Sequence, residues 1–218
     1  NRRFKIHVSR STINNWLNEH KELCTYSRVR NNINKKYSPE FLIEKKQFLH
    51  IQPYLFSIHK GKADLFINNY FSGLKDYLYN IKDNCPDELF NNGNNFRCSQ
   101  IKLNNKIFID RKENYACKLA KLALDIAKTN RERHSCIEDF MLNNDSVTIA
   151  AEIPIFLYEN EIKELNEFNV DGLNINGNVN ITGHIDLIQL KFGKIYLLDY
   201  KPEAEKEFPI GQLFLYAY

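Results

Sequence analysis

The chain has 218 residues, 43% of them hydrophobic, and its formal net charge is +3. This length and apolar content allow one large domain, or a core with an elaboration. No apolar run approaches the roughly 20 residues of a membrane-spanning helix, so we expect no membrane partner. The small positive charge is compatible with nucleic acid binding but does not indicate it by itself.

The chain has five cysteines, an odd number, and no two of them form a C-x-x-C pair. They are Cys24, Cys85, Cys98, Cys117 and Cys136. This spacing argues against a disulfide framework and against an autonomous zinc site, and it favours a reducing, intracellular (cytoplasmic) location. The chain begins at Asn1 instead of Met and ends inside an apolar pattern, so we expect a piece of a longer protein.

The first third of the chain has apolar residues at helical spacing. Ser9 or Ser11 is placed to cap a helix through its hydroxyl group, and apolar residues such as Trp16 follow at near-helical intervals. Residues 40–50 and 63–82 are rich in apolar residues, and we predict that both segments are helical.

The middle of the chain is predicted to contain a loop, a hairpin and one long helix. Pro, Gly and Asn in residues 84–95 indicate a loop. Asn104 and Asn105 mark the turn of a short hairpin in residues 101–110. Residues 113–130 have the clearest amphipathic pattern in the chain, with an alanine-rich face and a lysine-rich stripe, and we predict a helix there.

After residue 145 the pattern changes to that of β-strands. “SVTIAAEIPIFLY” (146–158) is β-branched and apolar, and two further strands in residues 173–191 and 194–201 are joined by a turn at Phe192-Gly193. So short a turn requires the last two strands to be antiparallel. A final helix begins in “QLFLYAY”.

These elements predict a mixed α+β protein. We divide the chain into a helical N-terminal region, residues 1–140, and a C-terminal region, residues 141–218. The first region includes elements that complete the fold around the sheet. The second carries a three-stranded meander and the start of the helix that follows it.

Charged side chains cluster where the predicted strands end. Asp199 and Lys201 face the same side of the third strand, with Tyr200 on the other side, because side chains alternate along a strand. Pairing of the last two strands would bring Asp186 near Asp199, and Glu152 on the first strand would complete the set. Three carboxylates and a lysine are costly to desolvate unless a cation compensates. Their hard oxygen atoms suit Mg²⁺ or Mn²⁺.

Such a set predicts metal-assisted hydrolysis of phosphodiester bonds. A cation held by Asp186, Asp199 and the carbonyl of Tyr200 would activate a water and screen the phosphate charge. Lys201 would orient that water or stabilise the transition state. Taken alone, a D-x-K pair at a strand end is usually a solvated surface pair. The hypothesis depends on the combination of the D-x-K pair with an acid upstream and a Q-x-x-x-Y turn downstream.

The segments “GHID”, “LLDYK” and “QLFLY” together resemble the PD-(D/E)xK nuclease superfamily. More closely they resemble its RecB-like clade of helicase-nuclease subunits and CRISPR-associated exonucleases. In that clade G-x-x-D is followed by D-x-K after apolar residues, and then by Q-x-x-x-Y. “VSRSTINNWLNEHKELC” also resembles the clade's S-x-S-x-x-x-x-W/Y-L opening, whereas no motif covers residues 60–140.

The resemblance implies a restriction-endonuclease-like core, in which helices flank a central mixed sheet, with a helical N-terminal elaboration. It also implies a deoxyribonuclease that depends on Mg²⁺ or Mn²⁺. Asp186 and Asp199 would be metal ligands, and Lys201 would be the catalytic lysine. Gln212 and Tyr216 would lie one turn apart on the final helix and face the site and the DNA.

The identity of the remaining metal ligands is left open. The clade often supplies a histidine from an early helix, for which His59 is the first candidate and His134 the second. Glu152 is the weaker correspondence, because the acid before the meander varies within the family. His184 is predicted to alternate away from Asp186 along its strand, so that it contacts DNA or has no role.

The resemblance leaves an iron–sulfur cluster unsupported. Cys24 falls near the position where some relatives begin a four-cysteine cluster site, but the usual Cys-Pro pair is absent. The implied partners are DNA, single- or double-stranded, and a helicase or larger nuclease complex. The alternatives are a nuclease-fold module that binds nucleic acid with weak or no cleavage, and a nuclease that acts on RNA. Exonuclease and endonuclease action both stay open.

Overall fold

The computed structural model describes residues 9–19, 42–67, 69–101, 110, 112–167, 179–203 and 207–217. Its strands are β1 (Ile43–His50), β2 (Gln52–His59), β3 (Phe96–Arg97), β4 (Thr148–Leu157), β5 (Ile181–Lys191) and β6 (Lys194–Leu198). Its helices are α1 (Arg10–Glu19), α2 (Lys60–Phe66), α3 (Ser72–Asn84), α4 (Asp87–Asn91), α5 (Tyr115–Leu124), α6 (Arg133–Asn144), α7 (Glu159–Glu167) and α8 (Ile210–Ala217).

Six strands form one sheet in this part of the chain. Their order is β1-β2-β4-β5-β3, and β6 also pairs with β5. Paired strands are antiparallel except β3, which runs parallel to β5. The sheet is therefore mixed and flanked by helices, which confirms the predicted α+β class. Within the described ranges, no helix is long and apolar enough to cross a membrane.

The prediction of a helix in residues 40–50 was wrong, because most of this segment is strand β1. Strand β1 pairs with β2 along its whole length. Phe48 and His50 are buried while their sequence neighbours are exposed, which is the period of a strand. The hairpin turns at Ile51, whose φ is 64°. Since isoleucine rarely adopts positive φ and is no turn signal, the sequence pattern hid the hairpin.

The other predicted elements are largely present. Ser9 caps α1, since its hydroxyl accepts a hydrogen bond of 3.0 Å from the backbone N–H of Thr12. Within residues 63–82, residues 63–66 belong to α2 and residues 72–82 to α3, and residues 69–71 form a short 3₁₀ turn. The helix expected in residues 113–130 is α5, which ends earlier, at Leu124. The predicted loop in residues 84–95 contains the short helix α4.

The three-stranded meander is confirmed as β4, β5 and β6. Phe192 and Gly193 join the last two strands with φ of 54° and 67°. Positive φ at both central residues is the geometry of a tight hairpin turn whose twist matches that of the strands. The hairpin predicted in residues 101–110 lies almost wholly outside the described residues, as does Cys24. The four described cysteines are free thiols.

Helix α6, which was not predicted, is held firmly against the sheet at its C-terminal end. Lys62 of α2 donates hydrogen bonds to the backbone carbonyls of Leu142 and Asp145. The side chain of Asp145 accepts hydrogen bonds from Thr148 of β4 and Gln189 of β5. These buried contacts satisfy the carbonyls at the end of the helix and fix its position relative to the two central strands.

Hydrophobic clusters pack helices onto this sheet. One joins α2 and α3 to β1, β2, β4 and β5 around Phe56, Ile58 and Leu78. Another joins α5 and α6 to the centre of β4 and β5, where Met141 packs with Leu187. The sheet and α6 thereby become a rigid frame for the polar residues that lie between them.

Candidate active site

The predicted acidic residues meet where β4, β5 and the end of β6 come together. Ala151 pairs with Leu187 and Ile153 with Ile185, which sets Glu152 opposite Asp186 on the neighbouring strand. Strand β6 ends at Leu198, so the next residue, Asp199, directly follows the strand. The antiparallel registers of β4 with β5 and of β5 with β6 thus deliver the three carboxylates to one region, as the sequence predicts.

Asp186 and Asp199 each have specific contacts. Asp186 accepts a hydrogen bond of 2.7 Å from the backbone N–H of Tyr200. Asp199 accepts one of 3.2 Å from the amide of Gln212. The Nζ atom of Lys201 lies 2.6 Å from Oδ2 of Asp199 and forms an ion pair with it. The Asp199 side chain is only 1% exposed, so water contributes little to its solvation.

Helix α8 contributes the predicted glutamine and tyrosine. The amide of Gln212 donates to the hydroxyl of Tyr216 over 2.7 Å, and that hydroxyl donates to the carbonyl of His184 over 2.6 Å. Burial raises the pKa of the Tyr216 phenol, which keeps it protonated as a donor. Through Gln212 and Tyr216, α8 therefore links Asp199 by hydrogen bonds to the backbone of β5, close to Asp186.

Gly183 allows the close approach of α8 to β5. A Cβ atom at this position would lie 2.7 Å from Sγ of Cys98 and 3.0 Å from the Tyr216 hydroxyl. Both distances are shorter than ordinary van der Waals contact. The glycine of “GHID” is thus needed for packing around the site.

Helix α6 supplies two further residues, His134 and Glu138. Nδ1 of His134 lies 3.7 Å from Oδ2 of Asp186 and 4.0 Å from Oε1 of Glu138. Its ring packs edge-on against Tyr200 at 4.9 Å. Burial, followed by the charge of Lys201, lowers the pKa of His134, which favours the neutral imidazole that can bind a metal.

Glu138 was missed by the sequence reasoning. It is a buried acid that hydrogen-bonds to Glu152. Burial and the charge of Glu152 raise the pKa of Glu138 to about 10, and burial also raises the pKa of Glu152. At neutral pH Glu138 and Glu152 therefore share one proton between them. The only sequence signal was the spacing of His134 and Glu138, four residues apart on one face of a helix.

Glu152 also has an unusual backbone conformation. Its φ is 49°, although it is a non-glycine residue within a strand. Such conformations are costly and persist where surrounding contacts enforce them, which is frequent at functional sites. Here the pairing of β4 with β5 on both sides of Glu152 supplies that enforcement.

The structure does not place His59 with the carboxylates. Its Nδ1 accepts a hydrogen bond of 3.3 Å from the backbone N–H of Lys62, which caps α2. Burial, followed by the charge of Lys62, lowers the pKa of His59 to about 3. The first candidate histidine therefore has a structural role at a helix start, and the second candidate, His134, lies beside Asp186 instead.

The prediction that His184 alternates away from Asp186 was wrong. Residues two apart on a strand face the same side, and His184 and Asp186 both line the same cleft. His184 stacks on Tyr54 with ring centroids 3.7 Å apart. Its Nε2 lies 2.9 Å from Nδ1 of His50. His184 is thus held between aromatic neighbours beside the carboxylates.

A cleft of about 840 Å³ opens over this region. Six predicted site residues line it, namely Glu152, Asp186, Asp199, Lys201, Gln212 and Tyr216. His134 and Glu138 line it as well, whereas Tyr200 and His59 do not. Tyr54 and Arg97 also line it. The cleft therefore combines an acidic floor with aromatic and basic groups.

Burial and the neighbouring Asp199 carboxylate raise the pKa of Asp186 to about 7. Oε1 of the buried Glu138 has no hydrogen-bond partner among the described residues, whereas Oδ2 of Asp199 is ion-paired with Lys201. Buried polar atoms without a partner are rare and need an explanation. A hard divalent cation suits this donor set of carboxylates and a neutral imidazole.

The predicted ligands are not already gathered around one point. Among the described residues, three donor atoms come within 4.8 Å of one another only at His50, Cys85 and Asp87, which are not the predicted set. Around Asp186 the carboxylates instead take separate partners, which is expected because like charges repel at short range.

Comparison with protein-family models, with curated proteins and with solved structures finds no match to this chain.

The packing at Gly183 yields a mutational prediction. We expect Gly183→Ala to destabilise the protein by about 1–3 kcal/mol, because the new methyl group overlaps the Cys98 thiol. In a Cys98→Ala background the same change should cost less, since the closest atom is gone. Urea unfolding of the four proteins measures both effects. Gly73→Ala, where no atom lies within 4 Å, is the control and should not destabilise.

The raised pKa of Asp186 yields a second prediction. Between about pH 4 and pH 7 the folded protein holds a proton that the unfolded chain has lost, so this group makes stability fall as pH rises. Asp186→Asn removes the effect and keeps an acceptor for the N–H of Tyr200. We expect the variant to be more stable than the native protein at pH 8, by up to about 4 kcal/mol, with little difference near pH 4.

Urea unfolding across this pH range measures the difference. Asp125→Asn, at an exposed position, serves as the control and should show no such trend. A stability difference for Asp186→Asn that is constant with pH would contradict the assignment.

Proposed function

We propose that the protein is a metal-dependent nuclease that hydrolyses phosphodiester bonds of DNA, of the RecB-like type within the PD-(D/E)xK superfamily. The main support is the convergence of Asp186, Asp199 and Lys201 in one cleft, next to Gln212 and Tyr216. These five residues are also those that the motif resemblance selects. Strong perturbation of the pKa of a buried acid in a cleft is typical of functional sites.

Carboxylate oxygens would hold the metal. Asp186, Asp199 and Glu152 are the proposed ligands, and the backbone carbonyl of Tyr200 and the ring of His134, which lies 3.7 Å from Asp186, would complete the set. Bound Mg²⁺ or Mn²⁺ would neutralise the acidic cluster, activate water and stabilise charge on the phosphate. Support comes from the buried Oε1 of Glu138, which has no hydrogen-bond partner among the described residues, and from the raised pKa of Asp186.

Lys201 is the proposed water-orienting or charge-stabilising group. Its Nζ atom already lies on the floor of the cleft, 2.6 Å from Asp199. An ammonium group in that place can orient a water molecule or stabilise the negative charge that develops on phosphate. Gln212 and Tyr216 support it indirectly, because their hydrogen bonds hold Asp199 and the backbone of β5.

The wall of the cleft suits a nucleic acid strand. Arg97 can pair with phosphate, and the half-buried ring of Tyr54 offers a surface for base stacking. Contacts of this kind follow the backbone and the base faces and do not select a sequence. A nuclease of broad sequence tolerance is therefore the proposed activity.

A nucleic-acid-binding module without strong cleavage is the second candidate. The observation that favours it is the separation of the carboxylate donors, no three of which lie within 4.8 Å in the described part of the chain. The two candidates differ in two respects: the module binds nucleic acid equally well with and without Mg²⁺, and it does not cleave it.

The decisive experiment is cleavage of single-stranded DNA, linear duplex DNA, closed circular DNA and RNA with Mg²⁺ or Mn²⁺. We expect cleavage of at least one DNA form, and its loss in chelator. Asp199→Asn and Lys201→Gln should each lower the rate by at least about 100-fold. Cutting of the closed circle would identify an endonuclease.

Matched controls separate chemistry from folding. Lys194→Gln changes an exposed lysine at the start of β6, and Asp139→Asn changes an exposed acid on α6. Both should cleave at the native rate. Native-like unfolding curves for the site variants would show that they are folded. If the native protein cleaved none of these substrates, or if Lys201→Gln kept full activity, the proposal would be overturned.

A further inference from the structure

We propose that His50, Cys85 and Asp87 form a separate binding site for a zinc-like divalent cation at the rim of the cleft. The three residues come from different elements: His50 ends β1, Cys85 follows α3, and Asp87 begins α4. Their donor atoms lie within 4.8 Å of one another. This site goes beyond the proposed nuclease activity and does not depend on it.

The donor distances suit a tetrahedral cation. Nε2 of His50 lies 3.7 Å from Sγ of Cys85 and 2.9 Å from Oδ1 of Asp87. Zinc bond lengths in tetrahedral geometry require separations of about 3.6 Å for nitrogen and sulfur and about 3.4 Å for nitrogen and oxygen. The thiol is already in place, and the Asp87 side chain, which is 57% exposed, has room to adjust.

The pattern of contacts favours a metal over a thiol nucleophile. In a nucleophile–histidine–acid triad, the nucleophile and the acid contact opposite nitrogens of the imidazole. Here Cys85 and Asp87 both face the same nitrogen, Nε2 of His50. Three donors that converge on one point form a ligand set, and they provide no path for a proton from the thiol through the ring.

The remaining contacts of His50 resemble those of a metal-binding histidine. Its other nitrogen, Nδ1, lies 2.9 Å from Nε2 of His184. Its ring stacks on Phe90 with centroids 3.8 Å apart, and the side chain is almost fully buried. Histidines that bind metals usually hydrogen-bond through the second nitrogen, which fixes the orientation of the ring. The ring is thus preset to present Nε2 to Cys85 and Asp87.

The ligand types distinguish this site from the carboxylate cluster. A thiolate and an imidazole favour Zn²⁺ and similar ions, whereas Mg²⁺ prefers oxygen atoms alone. Three protein ligands leave the fourth position to water, on the side where Asp87 meets solvent. A bound ion would tie the β1–β2 hairpin to the segment between α3 and α4.

Titration of the reduced, metal-free chain with Co²⁺ tests the proposal. Cobalt replaces zinc in such sites and absorbs light when a thiolate binds it. We expect one equivalent to give a sulfur-to-cobalt band that stoichiometric Zn²⁺ removes and excess Mg²⁺ does not. Cys85→Ser should abolish the band, and Asp87→Asn should weaken binding at least about 10-fold. Cys117→Ser, which changes an exposed cysteine, should keep the band.

A second measurement keeps the test valid if a variant fails to fold. In the native chain, Zn²⁺ should slow alkylation of Cys85 and leave that of Cys117 unchanged, as mapped by mass spectrometry. An absent cobalt band, a band that survives Cys85→Ser, or equal alkylation of Cys85 with and without Zn²⁺ would each overturn the proposal. Loss of nuclease activity in these variants plays no part in the decision.

Discussion

Electrostatic repulsion among buried carboxylates is the constraint on which the rest of this structure depends. Asp186, Asp199 and Glu152 lie together in a cleft floor that water barely reaches, and Glu138 joins them from α6. Carboxylates this close cannot all remain charged without compensation. The protein compensates with a shared proton between Glu138 and Glu152, the ammonium of Lys201 and the N–H of Tyr200. The remaining charge is what a divalent cation would neutralise.

The surrounding fold keeps these groups from moving apart. Lys62 and Asp145 anchor the end of α6, so Glu138 cannot withdraw from the sheet. Gly183 lets α8 approach β5 closely, and Gln212 then holds Asp199 in place. A stable scaffold thus carries a locally unfavourable arrangement, which persists because the surrounding contacts enforce it.

The sequence predicted most of the site because its residues belong to two adjacent strands and one helix. The turn at Phe192-Gly193 pairs β5 with β6 and so brings Asp186 towards Asp199. The third strand was predicted to run through Lys201 but ends at Leu198, and Asp199 and Lys201 meet just beyond it as an ion pair. The same local rules placed Gln212 and Tyr216 one helical turn apart. These inferences needed no knowledge of distant contacts.

Residues that depend on long-range packing were harder to predict. Glu138 belongs to the site only because α6 packs across the sheet, and a buried acid interrupts the apolar pattern that would reveal that helix. The turn at Ile51 gave no signal, so the β1–β2 hairpin was missed. The proximity of His50 to Cys85 likewise follows from that hairpin and from α3, not from the spacing of the cysteines.

Carbon-13 NMR titration of the Asp186 carboxyl group, assigned with Asp186→Asn, tests the central claim most directly. The account predicts a midpoint near pH 7 in metal-free protein, because the neighbouring carboxylates oppose ionisation. Saturating Mg²⁺ should lower that midpoint by at least about one unit, since a bound cation favours the charged form. A midpoint near the ordinary value of about 4 without metal, or one that Mg²⁺ leaves unchanged, would contradict it.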